Sequence, residues 1–161
     1  MPASSTVDFE QGFPVLTVLN RQRAVSLNMQ WLRDAAQIAL RLCAPLQRMG
    51  VPVLVNLEEV VVTCVSDKRI DRVHRDFMGV AGATDVITFQ HGDVLISADT
   101  AEREAHARGH SVSEELLLYI VHGFLHLNGY NDLVESERLH MHRVQERVWR
   151  EVLKRMLGRT C

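Results

Sequence analysis

His122, His126 and Asp132 lie in one short segment, His122-Gly-Phe-Leu-His126-Leu-Asn-Gly129-Tyr-Asn-Asp132, whose residue types and spacing suit coordination of a single metal ion. Residues four apart lie one above the other on a helix face, so one helix can offer both imidazoles to a common point. Gly129 falls three residues after the second histidine, where helices commonly stop with a residue in the left-handed conformation that glycine adopts without steric cost. The chain can then turn back and bring Asp132 toward the same ion. Two imidazoles and one carboxylate leave a coordination position open to water, as catalytic rather than structural zinc sites do.

Histidine pairs at this spacing also arise by accident, and the chain holds a second pair at His106 and His110. That pair is interrupted by Gly109, stands among Glu102, Arg103, Glu104 and Arg108, and has Leu116 where the first has Asp132. It reads as a solvated helix face. His122 and His126 instead follow Leu116-Leu-Leu-Tyr-Ile-Val121 and flank Phe124 and Leu125, so their helix is apolar on most faces and crosses the interior. Imidazoles left without partners there would cost roughly a few kcal/mol. They are either core histidines satisfied by hydrogen bonds or metal ligands, and metal ligation is the preferred reading.

The elements that must position this segment follow from the hydrophobic pattern. A strand is predicted over Val15 to Asn20, after a loose leader at residues 1–13. Asn28 can cap a helix running to about Arg48, with Trp31, Ala35, Ile38 or Ala39 and Leu42 on one face and Pro52 beyond its end. Val60-Val-Val-Thr-Cys-Val65 is the β-branched run of a central strand covered on both faces. A short helix from Ser66 or Asp67 to about Phe77 leads through a glycine-rich turn at Gly79 to Gly82 into a strand at Asp85 to Phe89. His91-Gly92 then marks a hairpin whose return strand is Asp93 to Ser97. Residues 99–108, 112–128 and 134–157 read as helices, the second with Ser113, Glu114 and Glu115 at its start. The expected fold is α+β: a mixed sheet of about four strands packed with about five helices, the metal site lying at the end of a buried helix.

With 161 residues, 47% hydrophobic and 24% charged, residues 14–158 suit one domain with a substantial core. The longest apolar run, Leu116 to Val121, is far short of the roughly 20 residues that a membrane span needs, so a cytoplasmic protein with no membrane partner is expected. Cys43, Cys64 and Cys161 are widely spaced, which argues against both a disulfide framework and a thiolate zinc site. A formal charge of −2 excludes an extended phosphate-gripping surface, and any nucleic-acid contact must be a local patch. Lys68, Arg69, Arg72, His74 and Arg75 on the short helix are the candidate, although a solvated helix face explains them equally well. The basic residues from Arg147 to Arg159 alternate with apolar ones as in a packed terminal helix.

Residues 56–145 resemble the YbeY endoribonucleases, which act in ribosomal RNA maturation. The family's metal segment has the form His-Gly-x-Leu-His-Leu-x-Gly-Tyr-Asp-His, followed by a Glu and a Met. Here His122 to Tyr130 match it, with Glu137 and Met141 at the corresponding offsets. Gly79, Thr84-Asp85-Val86, Phe89 and Gly92-Asp93 match the family's upstream elements in order. The resemblance implies a zinc-dependent, single-strand-specific endoribonuclease acting in 16S ribosomal RNA maturation and small-subunit quality control. Its partners would be single-stranded, ribosomal RNA and the small ribosomal subunit, with no DNA, and its cofactor one zinc ion per chain.

Two residues depart from the family pattern. Asp132 stands where the family's third ligand is usually His, and Asn131 where its Asp stands. A carboxylate at roughly 2.0–2.2 Å is an acceptable zinc ligand, but its charge makes bound water less acidic and softens selectivity toward manganese or iron. Met78 aligns with the family's catalytic-site Arg, and Arg75, one turn earlier, is the candidate stand-in, with Arg72 as a further cation. RNA cleavage calls for a metal and for a cation that neutralises charge on the phosphorane. Thr84 and Asp85 are candidates to orient the substrate or to hold a ligand imidazole, beside their ordinary role in turn chemistry. Two rival functions use the same residues. One is a ribosome-assembly factor whose metal only pins its last helices, and the other is a metzincin-like protease, against which Gly123 replaces the Glu expected after the first His.

Overall fold

The computed structural model describes residues 12–48, 54–79, 82 and 84–159. In chain order its elements are β1 (Val15–Asn20), α1 (Met29–Cys43), β2 (Glu59–Val65), α2 (Asp67–Met78), β3 (Val86–Thr88), β4 (Asp93–Ser97), α3 (Ala98–Arg108), α4 (Val112–Leu127) and α5 (Glu135–Gly158), with short 3-10 turns at Ala44–Leu46 and Leu54–Asn56. The sheet order is β1-β2-β4-β3; β1, β2 and β4 run parallel, and β3 pairs antiparallel with β4. This is the expected α+β fold, a four-stranded mixed sheet with five α-helices among the described residues. None of those helices is long and apolar enough to cross a membrane. Residues 1–11 of the expected leader lie outside the described residues, as do Pro52 and residues 80 and 81 of the glycine-rich turn; Phe13 packs against the core.

Alternation along the strands separates two apolar clusters. Val62, Cys64, Val94 and Ile96 point into the main core beneath α1, α4 and α5, while Leu95, Ile87 and Val65 face α2 through Ile70 and Val73. The second face of β2 is covered only in part, because α2 is a single helix and leaves Thr63 beside an open groove. The sequence reading of β2 as covered on both faces is corrected in that respect.

Helix α1 begins where Asn28 accepts a 3.1 Å bond from Trp31 N, as the capping pattern predicts. It ends at Cys43 rather than near Arg48, because Pro45 cannot donate the next helical hydrogen bond and the chain tightens into a 3-10 turn. Its buried face is wider than predicted, with Leu32, Ala36, Leu40 and Cys43 joining Ala35, Ile38 and Ala39, while Trp31 and Leu42 are only half-buried.

Helix α4 runs through the core and comes close to the sheet at Gly123. A β-carbon there would stand 2.8 Å from Val94 Cγ1 and 3.3 Å from Thr88 Oγ1. Val94 is stiff and fully buried, so the neighbour cannot yield cheaply. Gly123→Ala is therefore expected to lower stability by about 1–2 kcal/mol, overpacking outweighing the gain of about 1 kcal/mol in helix propensity. Urea denaturation checks this, and an unchanged or raised midpoint would show that Val94 gives way.

Candidate metal centre

The last turns of α4 carry the two histidines, and the chain leaves the helix through a compact turn. Asn128 N donates to the carbonyls of Phe124 (3.1 Å) and Leu125 (3.0 Å), Gly129 N to that of His126 (3.1 Å), and Tyr130 N to that of Leu125 (3.0 Å). Gly129 has the left-handed φ of 92° that the sequence reading required. Asn131 Oδ1 then accepts from Leu133 N at 2.8 Å, an Asx turn that sets Asp132 back toward α4.

The three predicted ligands converge. His122 Nε2 and His126 Nε2 are 3.0 Å apart, and Asp132 Oδ2 lies 3.7 Å from the first and 3.6 Å from the second. Ligands of one tetrahedral ion at its usual bond lengths stand about 3.3 Å from each other. Among the described residues this is the one cluster of three such groups able to hold an ion.

The outer nitrogens fix which atoms face the point of convergence. His126 Nδ1 is 3.0 Å from the Tyr130 carbonyl, which can only accept, so Nδ1 carries the hydrogen and Nε2 of the neutral ring presents a lone pair. His122 Nδ1 lies 2.7 Å from Gln145 Oε1 of α5, which fixes the same tautomer. Burial, foremost, and the adjacent His126 hold the His122 pKa below the ordinary imidazole range, against the opposing pull of Gln145, Asp85 and Asp132. His122 is accordingly neutral at pH 7, and its approach to Asp132 is the meeting of two lone-pair bearers rather than an ion pair. Two imidazoles and a carboxylate aimed at one point are a donor set that fits a divalent cation.

Gln145 was not identified from the sequence. It sits mid-way along α5, and nothing local to its neighbours marks it, since only the docking of α5 on α4 brings it to His122. Gln145→Leu is expected to weaken metal binding about 10–100-fold while leaving the fold intact; competition with a chromogenic chelator checks this, and unchanged affinity would remove Gln145 from the site.

The other predicted residues are placed as follows. Asp85 Oδ1 accepts from Val86 N (2.8 Å) and Thr84 Oγ1 (3.3 Å), which is turn chemistry, yet its carboxylate is also among the charges that act on His122. Arg75 pairs with Asp71 at 2.5 Å, and Asp71 also accepts from Gly82 N at 2.7 Å, tying α2 to the turn before β3. Arg72 is exposed, without an ion pair among the described residues. Met78 is exposed at the end of α2, and Met141 is fully buried in the core. In the second histidine pair His106 is exposed, while His110 bonds the buried carboxylate of Glu115, which Arg108 also reaches at 3.0 Å. The N-cap of α4 is Ser111 rather than Ser113.

These features define a class, an α+β protein with an open two-imidazole, one-carboxylate site where a buried helix ends. The family model described as "Endoribonuclease YbeY" matches residues 17–153. The chain belongs to the endoribonuclease YbeY family. An endoribonuclease YbeY of Thermus thermophilus is 36% identical over 119 residues, covering 66% of this chain and 83% of the relative. One of Heliobacterium modesticaldum is 28% identical over 149 residues, covering 80% and 87%. The solution structure of a Thermotoga maritima protein superposes with a TM-score of 0.62 at 21% identity, covering 90% of this chain and 93% of that one, and shows the same fold.

Proposed function

We propose that this protein is a zinc-dependent endoribonuclease that cuts single-stranded RNA, acting in the cytoplasm on 16S ribosomal RNA during maturation and quality control of the small ribosomal subunit. The observation that carries this reading is the convergence of His122, His126 and Asp132 with both outer imidazole nitrogens already engaged, in a chain whose relatives are named endoribonucleases.

When bound, a divalent ion there supplies Lewis acidity toward the scissile phosphate and a more acidic water. Zinc suits the donor set, and the carboxylate also admits manganese or iron. The rest is the work of the chain. Gln145 and the Tyr130 carbonyl hold the imidazoles in the ligating tautomer, and Asp132 lowers the net charge of the centre. Arg75 leaves Asp71 to neutralise charge developing on the phosphate, in the role of the cation that Met78 cannot fill. Arg72, Thr84 and Asp85 contact the RNA strand as it enters between α2 and β3. A metzincin-like protease is disfavoured because Gly123, directly after the first histidine, has no side chain to act as general base, and Val94 crowds the place where one would start.

Cleavage of an end-labelled, unstructured RNA tests the proposal. Activity is expected to vanish when metal is stripped and to return when zinc is restored. Cleavage indifferent to metal would overturn the reading, and a metal-loaded parent that cuts no RNA would point instead to a non-catalytic assembly factor.

A further inference from the structure

The face of the sheet turned away from the metal centre carries a groove of about 950 Å³ that the mechanism above does not use. Its floor is Leu19, Thr63 and Leu95, and one wall is the stripe Arg69, Val73 and Phe77, spaced four apart along α2. Two further rings, Phe89 and His91, form its other side. Phe77 meets Phe89 edge-on at 5.7 Å, and Phe89 stacks on His91 at 5.7 Å with 26° between planes. His91 is braced by a 2.6 Å contact from Nε2 to Asp93, so the one carboxylate lining the groove is already engaged.

Phe77 is 73% exposed, a costly state for so large a ring unless something covers it. The groove also holds Arg21 and Arg69, neither of which forms an ion pair among the described residues. Unpaired guanidinium groups beside exposed ring faces complement a strand of unpaired nucleotides, whose phosphates meet the cations while the bases stack. A buried apolar segment of another protein would leave both cations unmatched, which disfavours it.

We propose that this groove is a base-stacking subsite for single-stranded RNA, with Phe77 as the platform and Arg69 and Arg21 as phosphate contacts. The inference rests on the endoribonuclease reading and deepens it. RNA held here continues past the end of α2 and over the β3 edge, where Asp85 lies, toward the centre on α4. The subsite binds the substrate without taking part in cleavage, and it is read in KM rather than kcat.

The test uses the metal-loaded full chain and a fluorescein-labelled, 2′-O-methylated oligoadenylate, with fluorescence anisotropy as the readout and steady-state cleavage of the unmodified RNA beside it. Phe77→Ala and Arg69→Ala are each expected to weaken binding about tenfold and to raise KM with kcat unchanged. Phe77→Trp should retain binding, and Asp132→Ala should bind as the parent does while failing to cut. A parent that binds and cuts RNA while Phe77→Ala and Arg69→Ala bind equally well overturns the subsite and leaves the endoribonuclease reading standing. Loss of binding in Asp132→Ala alone would assign the affinity to the metal centre and likewise overturn it. A parent that neither binds nor cuts RNA removes both.

Discussion

His126→Ala is expected to lose the metal and to lower RNA cleavage by roughly three orders of magnitude or more. The ion's Lewis acidity is worth several kcal/mol at the transition state, and each 1.36 kcal/mol is a factor of ten in rate. His126 is the ligand for which the geometry leaves least freedom. Its outer nitrogen is anchored on the Tyr130 carbonyl within the same turn, and its Nε2 is the closest partner of His122. The variant should still fold, since the His126 side chain is only partly buried and sits in the last turn of α4. Far-ultraviolet circular dichroism, metal content and single-turnover cleavage together check this. A folded His126→Ala protein that cuts RNA within tenfold of the parent would sink the assignment.

Asn128→Ala is expected to cause a large loss of stability for a polar substitution. Its side chain is fully buried and stitches three distant pieces of chain together. Nδ2 donates to the carbonyls of Cys43 at 2.8 Å and Ala44 at 3.3 Å, capping the end of α1, and Oδ1 accepts from Leu54 N at 3.1 Å. Alanine would leave these groups buried without partners at about 1–3 kcal/mol each, and partial relaxation brings the expected total to roughly 2–4 kcal/mol. For a chain of this size that corresponds to a fall in Tm of about 5–15 °C, to be measured at fixed metal loading. Asn128 is also the residue from which the metal loop departs, so metal affinity should fall with stability. A loss below about 1 kcal/mol would mean that water replaces the amide.

The contrast between these two residues shows what the sequence made legible. His122, His126, Gly129 and Asp132 form a local pattern, fixed by helical periodicity and one glycine stop, and the structure brings the three candidate ligands within reach of one another as that pattern requires. The β3–β4 hairpin and the central place of β2 were legible for the same reason, through a turn signal and a β-branched run. Asn128 reads locally as one more polar residue near a helix end; its role depends on partners more than seventy positions away. Gln145 depends likewise on how α5 lies across α4. The early stop of α1 was visible in Pro45 but masked by the apolar residues that continue past it. Phe77, Phe89 and His91 were dispersed in the chain and become a single ladder only when α2 docks beside the hairpin. Gly123 was read for the base it could not be, whereas the structure adds that its missing side chain is the space in which Val94 packs.

Metal stoichiometry of the purified protein, determined by plasma mass spectrometry for the parent, His126→Ala and Asp132→Ala, tests the centre most directly. About one zinc per parent chain, lost from both folded variants, is the expected result. A parent that stays metal-free after zinc is offered, or variants that keep the ion at the parent's level, would contradict the three-ligand site and the metal-dependent reading built on it.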